Sequence, residues 1–170
     1  HKQKTPLKQI ELLEPKLTSK KQKWSWGEEQ MKAFQTIKKI VAREVLLTYP
    51  DFNKPFQIFT DASKNQLGAV RAQDDKIIAF FSGKLDKAQV NYTTTERELL
   101  AIVVTLEEFK NILLGHKIAV HTDHQNLTYK TFNTERVMRW RLILEEFGPE
   151  FIHIKGKKNI VADALSRLDI

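Results

Sequence analysis

The sequence predicts an α/β protein in which helices flank a mixed sheet. Two short runs of β-type residues, 56–61 and 118–123, each stop abruptly at a Thr-Asp pair. A segment with an apolar stripe at helical spacing, 93–114, lies before the second run, and a strand, helix, strand unit normally pairs its strands in parallel. Two further β-type runs around a short acidic turn are typical of an antiparallel hairpin.

Composition sets the outer limits of this fold. The 170 residues are enough for one domain with a real core, and 41% hydrophobic and 29% charged residues are ordinary for a globular protein. No apolar run approaches the ~20 residues that a membrane span needs, and the first residues do not resemble a secretory signal. The absence of cysteine excludes disulfides and thiolate zinc sites, which fits an intracellular protein.

The positive charge is unevenly distributed. A formal net charge of +7 and a pI near 9.5 indicate a polyanionic partner, with a merely soluble basic surface as the alternative. Residues 1–26 contain seven lysines against two glutamates, so much of this charge lies in what is predicted to be a flexible arm. A second basic set surrounds Trp140 and consists of Arg136, Arg139, Arg141, Lys155, Lys157 and Lys158.

The first 50 residues are predicted to form a basic tail and a helical connecting segment. Residues 1–22 are polar and lack sustained periodicity. Residues 25–28 resemble a capping box, and apolar residues continue at helical spacing to about residue 45. Tyr49-Pro50-Asp51 ends that helix, so the main domain is predicted over 51–170.

The remaining elements follow in order. Residues 67–73 and 76–82 flank Asp74-Asp75, which predicts a hairpin and an antiparallel arrangement of the first three strands. Gly115 stands at a C-cap position for the helix that precedes the Ile118 strand. A further helix is predicted to begin at Asn133 or Thr134 and to end at Gly148-Pro149. Residues 151–154 are then a final strand, and Asn159 caps a last helix.

Four acids stand at strand ends or on helix faces from which they could reach one cleft. If the two Thr-Asp strands are parallel neighbours, two of these acids project from the same end of the sheet. Four carboxylates would repel one another strongly, so their convergence requires a divalent metal. Magnesium prefers hard oxygen ligands, and two such ions about 3.5 to 4 Å apart can promote phosphodiester cleavage. The four acids are Asp61, Glu98, Asp123 and Asp163.

Three of these acids also have a purely structural interpretation. Asp61 and Asp123 could each close a strand through an Asx-turn. Asp163 could favour the positive end of the dipole of the last helix. Periodicity alone leaves these alternatives open.

Glu98 has its own alternative at the start of the long helix. It could complete a capping box with Thr95. Thr93 and Glu96 form an equally good box, however, and that choice would leave Glu98 free. Glu98 also shares a helical stripe with apolar Ile102, which is an unusual place for a carboxylate without a role.

Five motifs occur in a fixed order between roughly residues 50 and 168. They read TDAS at 60–63, NYTTTERELLA at 91–101, HTDHQNL at 121–127, RVMRW at 136–140 and IKGKKNIVADALSR at 154–167. Together they closely resemble the ribonuclease H domain of Ty3/gypsy-type LTR retrotransposon reverse transcriptases. Residues 23–51 likewise resemble the connecting segment that joins the polymerase portion to this domain.

The resemblance implies a ribonuclease H-like fold, with a five-stranded mixed sheet of three antiparallel and then two parallel strands flanked by helices. It also implies that Asp61, Glu98, Asp123 and Asp163 form a catalytic set that holds two Mg²⁺ ions, for which Mn²⁺ could substitute. Glu98 rather than Glu96 matches the family because it directly precedes Leu99-Leu100.

The activity implied is hydrolysis of the RNA strand of RNA-DNA hybrids by a metal-dependent endoribonuclease of a retroelement reverse transcriptase. The expected partners are the hybrid and the polymerase portion of the same polyprotein, with no membrane. The expected location is an intracellular, cytoplasmic retroelement particle. One alternative is a catalytically silent module that binds nucleic acid or connects domains, and another is a nuclease of the same fold that acts on duplex DNA.

Five basic residues are expected to contact the phosphates of the hybrid, although each could equally be a solvated surface charge. They are Arg136, Arg139, Lys155, Lys157 and Lys158.

Two features depart from the family pattern. Related enzymes carry a histidine in a loop before the last acid, whereas residues 155–159 contain none. His153 precedes this loop and is interpreted as a strand residue, and His124 beside Asp123 as a structural histidine. Arg71 occupies a position that is commonly apolar in the family, which affects the expected packing of the second strand.

Overall fold

The computed structural model describes residues 49–123, 134–154 and 159–166, together with seven positions between 27 and 39. The described positions from Glu28 to Lys39 are helical, and Met31 N–H donates to Gly27 O at 3.0 Å. The predicted helix is confirmed at these positions, whereas its proposed capping residue Ser25 lies outside the described residues. The division of the chain after residue 50 stays a prediction.

Five strands form one mixed sheet in the order β3-β2-β1-β4-β5. The β1–β2 and β2–β3 pairs are antiparallel, and the β1–β4 and β4–β5 pairs are parallel. The predicted arrangement of three antiparallel and two parallel strands is therefore confirmed. The strands are β1 Phe56–Ala62, β2 Gln66–Gln73, β3 Lys76–Lys84, β4 Ile118–Thr122 and β5 Glu150–His153.

The predicted hairpin between β2 and β3 turns through two aspartates in the left-handed region. Asp74 has φ of 49° and Asp75 has φ of 61°. Positive φ at both central residues matches the right-handed twist of the flanking strands, and aspartate tolerates this conformation better than most residues. Lys54 Nζ also bonds Asp74 Oδ2 at 2.5 Å. This turn sets the pairing of Gln73 with Lys76 and of Ala72 with Ile77, and the register of β2 and β3 then shifts between Ala72 and Arg71.

Within the described residues after 49, four helices and one short 3₁₀ turn accompany the sheet. The predicted helix over 93–114 divides at Phe109, whose backbone (φ −100°, ψ 17°) leaves the helical region. Gly115 follows the second part with φ of +82°, in agreement with its predicted C-terminal position. The helices are α1 Thr94–Glu108, α2 Lys110–Leu113, α3 Glu135–Phe147 and α4 Ile160–Ser166, and the 3₁₀ turn is Gln89–Asn91.

The main core lies between α1 and one face of the sheet. The predicted apolar stripe of α1 is buried there, against side chains of β1 and β4, and α3 closes the other side of the helix. Full burial of each large aliphatic side chain stabilises the fold by roughly 1.5 to 3 kcal/mol. This core holds α1 against β1, which matters for the site described below. Its fully buried members include Phe56, Ile58, Ile102, Leu106, Leu113 and Val120.

Arg71 is buried inside this core, with 4% of its surface exposed. Its guanidinium carbon lies 4.7 Å from the ring centroid of Phe109 and 5.9 Å from that of Phe56. Nε and Nη1 are buried and have no hydrogen-bond partner within the described part of the chain. Burial lowers the pKa of Arg71. Aromatic rings thus contact this buried cation where hydrogen-bond acceptors are missing for Nε and Nη1.

We expect Arg71→Met to increase the free energy of unfolding by about 1 to 3 kcal/mol, because it removes buried donors that lack acceptors and keeps a long apolar stem. Urea denaturation measures this change. Lys76→Met, at an exposed position of β3, is the matched control and should stay within about 0.5 kcal/mol of the unmutated chain. A loss of stability in Arg71→Met would show that the cation–ring contacts outweigh the missing hydrogen bonds.

Candidate active site

The parallel pairing of β1 and β4 brings the two Thr-Asp pairs to one end of the sheet. Phe59 is paired with His121, so two further residues along each strand reach Asp61 and Asp123. Equal steps along parallel neighbours place these two residues side by side. Asp61 is part of β1 and is 7% exposed, while Asp123 follows β4 directly and is half-buried.

Ser63 closes the turn after β1. Ser63 Oγ accepts hydrogen bonds from the main-chain N–H groups of Asn65 at 3.2 Å and Gln66 at 3.0 Å. The Asx-turn interpretation of Asp61 is not needed to close this turn, because a serine makes these contacts. The Asp61 side chain belongs instead to the cluster of acids at the end of the strand.

The first turn of α1 leaves Glu98 available for this cluster. Thr93 N–H donates to Glu96 Oε2 at 2.9 Å, and Glu96 N–H donates to Thr93 Oγ1 at 3.2 Å, so these two residues form the capping box. The alternative box of Thr95 with Glu98 is not formed. Glu98 points into the protein and is 5% exposed.

Three of the four predicted acids come together as a three-carboxylate cluster of Asp61, Glu98 and Asp123. One carboxylate oxygen from each lies within 4.8 Å of the others. Glu98 Oε2 is buried and has no hydrogen-bond partner among the residues that the structure describes. The pKa of Glu98 is raised to about 8, first by burial and then by the charges of Asp61 and Asp123.

These residues fit a divalent metal ion. The donor set consists of hard carboxylate oxygens, which Mg²⁺ and Mn²⁺ prefer. The buried Glu98 oxygen lacks a donor, and a cation would both satisfy it and offset the repulsion within the three-carboxylate cluster. The predicted magnesium site is thus supported by the chemistry of the side chains.

Asp163 lies on α4, outside the group of oxygens that are mutually within 4.8 Å in the described part of the chain. It is half-buried, and α4 packs against β1 and β2. Two neighbours join this helix to β1: Asn159 Nδ2 donates to Thr60 O at 2.6 Å, and Ser166 Oγ donates to Asp61 Oδ2 at 2.5 Å. The sequence offered Asn159 only as a cap and Ser166 only as part of the final motif.

His153 is confirmed as a strand residue, since it is the last residue of β5. Its ring Nε2 donates to the main-chain oxygen of Asp123 at 3.1 Å. This bond helps to fix the backbone that carries Asp123. His124 and the loop at 155–158 lie outside the described residues.

The predicted phosphate contacts divide into three groups. Arg136 is half-buried and contacts neighbouring side chains, since its guanidinium carbon lies 4.1 Å from the ring centroid of Tyr92 and its Nη1 lies 3.8 Å from Glu96 Oε1. Arg139 is exposed on α3. The remaining predicted contacts, Lys155, Lys157 and Lys158, lie outside the described residues.

Comparison with known proteins identifies the family. Residues 51–147 match the RNase H-like domain found in reverse transcriptase, and the chain belongs to this family. Over 157 residues it is 43% identical to the retrovirus-related Pol polyprotein from transposon gypsy of Drosophila melanogaster, covering 89% of this chain and 15% of that polyprotein. The resemblance to Ty3/gypsy reverse transcriptases is confirmed. The chain spans about 15% of the length of the curated relatives it matches.

Solved structures show the same fold. The prototype foamy virus protease-reverse transcriptase superposes with a TM-score of 0.67 at 16% identity, over 86% of this chain and 21% of that one. RNase H1 of the archaeon Halobacterium salinarum superposes with a TM-score of 0.50 at 20% identity, over 66% of this chain and 92% of that one. The predicted ribonuclease H-like fold is confirmed. None of the described helices is long and apolar enough to cross a membrane.

The raised pKa of Glu98 predicts a pH-dependent loss of stability in the absence of metal. Between its ordinary value of 4.5 and about 8, the folded chain holds a proton that the unfolded chain has released, so the free energy of unfolding decreases as the pH rises. Glu98→Gln removes this dependence. The free energy of unfolding of the unmutated chain falls between pH 5 and pH 8, whereas that of Glu98→Gln lacks this contribution. We therefore expect the difference between the two to change by about 1 to 3 kcal/mol in favour of the variant.

Urea denaturation in EDTA at several pH values measures this difference. Glu107→Gln, an exposed glutamate of the same helix, is the matched control. A difference between Glu98→Gln and the unmutated chain that stays constant from pH 5 to pH 8 would contradict the prediction.

Proposed function

We propose that this domain is a metal-dependent endoribonuclease that hydrolyses the RNA strand of RNA-DNA hybrids. The observation that carries the proposal is the three-carboxylate cluster at the end of the parallel strands β1 and β4. The membership of this chain in the family of RNase H-like domains found in reverse transcriptase also supports the proposal. So does the fact that a structural neighbour of 20% identity is a foamy viral protease-reverse transcriptase in complex with RNA/DNA hybrid.

The proposed ligands are the three-carboxylate cluster and Asp163, which would hold two Mg²⁺ ions or, as a substitute, Mn²⁺. Such ions, when bound, lower the pKa of a water molecule and stabilise the charge that develops on phosphate and leaving oxygen. The protein supplies a rigid frame: β1 and β4 hold two carboxylates, and α1 holds Glu98. Glu98 would hold a cation as a carboxylate, because a carboxylate binds metal in its ionised form.

The proposed substrate fits the basic charge of the chain. A net charge of +7 favours association with a polyanion, and contacts to phosphates supply most of the affinity for nucleic acid without regard to sequence. Arg139 is the exposed candidate among the described residues, whereas Arg136 is engaged with Tyr92 and Glu96. Contacts to 2′-hydroxyl groups would distinguish the RNA strand from DNA.

The polymerase portion of the same polyprotein is the proposed partner protein. The curated relatives are Pol polyproteins of which this chain matches only about 15%, so the relatives extend well beyond this domain. We place the proposed activity inside the cell, in a cytoplasmic retroelement particle, where an RNA-DNA hybrid would be the intermediate of reverse transcription.

Cleavage of an end-labelled RNA-DNA hybrid in Mg²⁺ tests the proposed function. We expect the chain to cut only the RNA strand, and EDTA to abolish cutting. Asp123→Asn should reduce the rate at least about 100-fold, because it removes one charged metal ligand from the three-carboxylate cluster. Asp75→Asn is the matched control: it makes the same change in the exposed hairpin turn, where asparagine also tolerates positive φ.

Two other results would separate the alternatives. Binding of the hybrid without cutting in either Mg²⁺ or Mn²⁺ would contradict the proposal and favour a catalytically silent module. Equal cutting of duplex DNA would favour a nuclease of the same fold with a different substrate.

A further inference from the structure

Helix α4 is attached to β1 by two buried side chains, one on each side of Asp163. Asn159 is 2% exposed and donates from Nδ2 to Thr60 O at 2.6 Å. Ser166 is 0% exposed and donates from Oγ to Asp61 Oδ2 at 2.5 Å. These bonds join residues 99 and 105 positions apart in the chain, so they fix tertiary structure and do not merely close a local turn.

Two acceptors lie within hydrogen-bonding distance of the Ser166 hydroxyl. Its Oγ lies 2.5 Å from Asp61 Oδ2 and 2.9 Å from the main-chain oxygen of Asp163. A hydroxyl has one proton, and an ionised carboxylate is a stronger acceptor than a peptide carbonyl. The shorter distance agrees with this preference. The hydroxyl therefore directs its proton to Asp61 and restricts the rotation of that carboxylate.

The contact of Asn159 acts on the helix and not on a carboxylate. Its amide bonds to the main chain of β1, and its own main-chain oxygen accepts the N–H of Asp163 at 3.0 Å. Asp163 is thus one hydrogen-bonded turn beyond a residue that is anchored to β1. Ser166, three residues later, anchors the other end of the same short helix.

We propose that Ser166 is a positioning residue that orients the Asp61 carboxylate for metal binding, and that together with Asn159 it fixes the helix carrying Asp163 to β1. This inference rests on the proposed function, since it assigns Asp61 and Asp163 to the same metal site. Hydrogen bonds to the ligands of a metal set their orientation, and their loss typically weakens metal binding about 10- to 100-fold.

Calorimetric titration of Mn²⁺ into the 170-residue chain tests the inference without reference to cleavage. We expect Ser166→Ala to weaken Mn²⁺ binding about 10-fold or more. Ser166→Cys keeps nearly the same volume but offers a poor donor, and should weaken binding by a similar factor. Thermal unfolding in EDTA tests, independently of metal, whether each variant is folded.

Thr105→Val is the matched control. Thr105 is fully buried, and its hydroxyl donates to Ala101 O of the same helix at 2.6 Å, about two turns beyond Glu98. The variant loses a buried hydroxyl of the same kind with no bond to an acid, so it should change stability and leave Mn²⁺ affinity unchanged.

The outcomes separate this inference from the proposed function. Folded Ser166 variants that bind Mn²⁺ as tightly as the unmutated chain would overturn the inference and leave the proposed function intact. Weakened binding in a chain that does not cut the hybrid would support the inference and contradict the proposed function. If Ser166→Cys fails to fold, the Mn²⁺ affinity of Ser166→Ala decides; if the unmutated chain binds no Mn²⁺, the positioning role is wrong.

Discussion

The register between β1 and β4 is the constraint on which the candidate site depends. Pairing of Phe59 with His121 puts Asp61 and Asp123 at equal distances beyond the paired residues, and parallel direction puts both at the same end. A shift by one residue would turn every side chain of a strand to the other face of the sheet. The buried side chains of Ile58 and Val120, which pair in the same register, resist such a shift because it would expose them.

The three-carboxylate cluster destabilises the folded chain, and apolar burial in the main core offsets this cost. A buried glutamate beside two other carboxylates is unfavourable in its ionised form, as the raised pKa of Glu98 shows. Glu98 stays in place because the residues after it on α1 belong to the main core against β1 and β4. Local strain of this kind is expected where a protein positions groups for chemistry and not for stability. A metal ion would relieve the repulsion by binding to the ionised form.

Most of the fold could be predicted from the sequence because its signals are local. The Asp74-Asp75 turn, the stripe of α1 and the two Thr-Asp strands each follow from spacing within a few residues. The choice between the capping boxes at Thr93 and Thr95 could not be predicted from the sequence. Both boxes have the same residue pattern, and only packing in the folded chain distinguishes them. The bond from Ser166 to Asp61 and the burial of Arg71 against Phe109 join distant parts of the chain. Periodicity carries no signal for such contacts. It singled out the four acids but left their structural interpretations open, and their assignment to one metal site depended on family resemblance.

Anomalous diffraction from crystals of this chain soaked in Mn²⁺ tests the central claim most directly, because it locates metal at the carboxylates without requiring activity. We expect Mn²⁺ peaks bounded by Asp61, Glu98 and Asp123, with Asp163 among the ligands, and loss of these peaks in Asp123→Asn. A fully formed three-carboxylate cluster with no peak at saturating Mn²⁺, or peaks only at unrelated surface carboxylates, would contradict it.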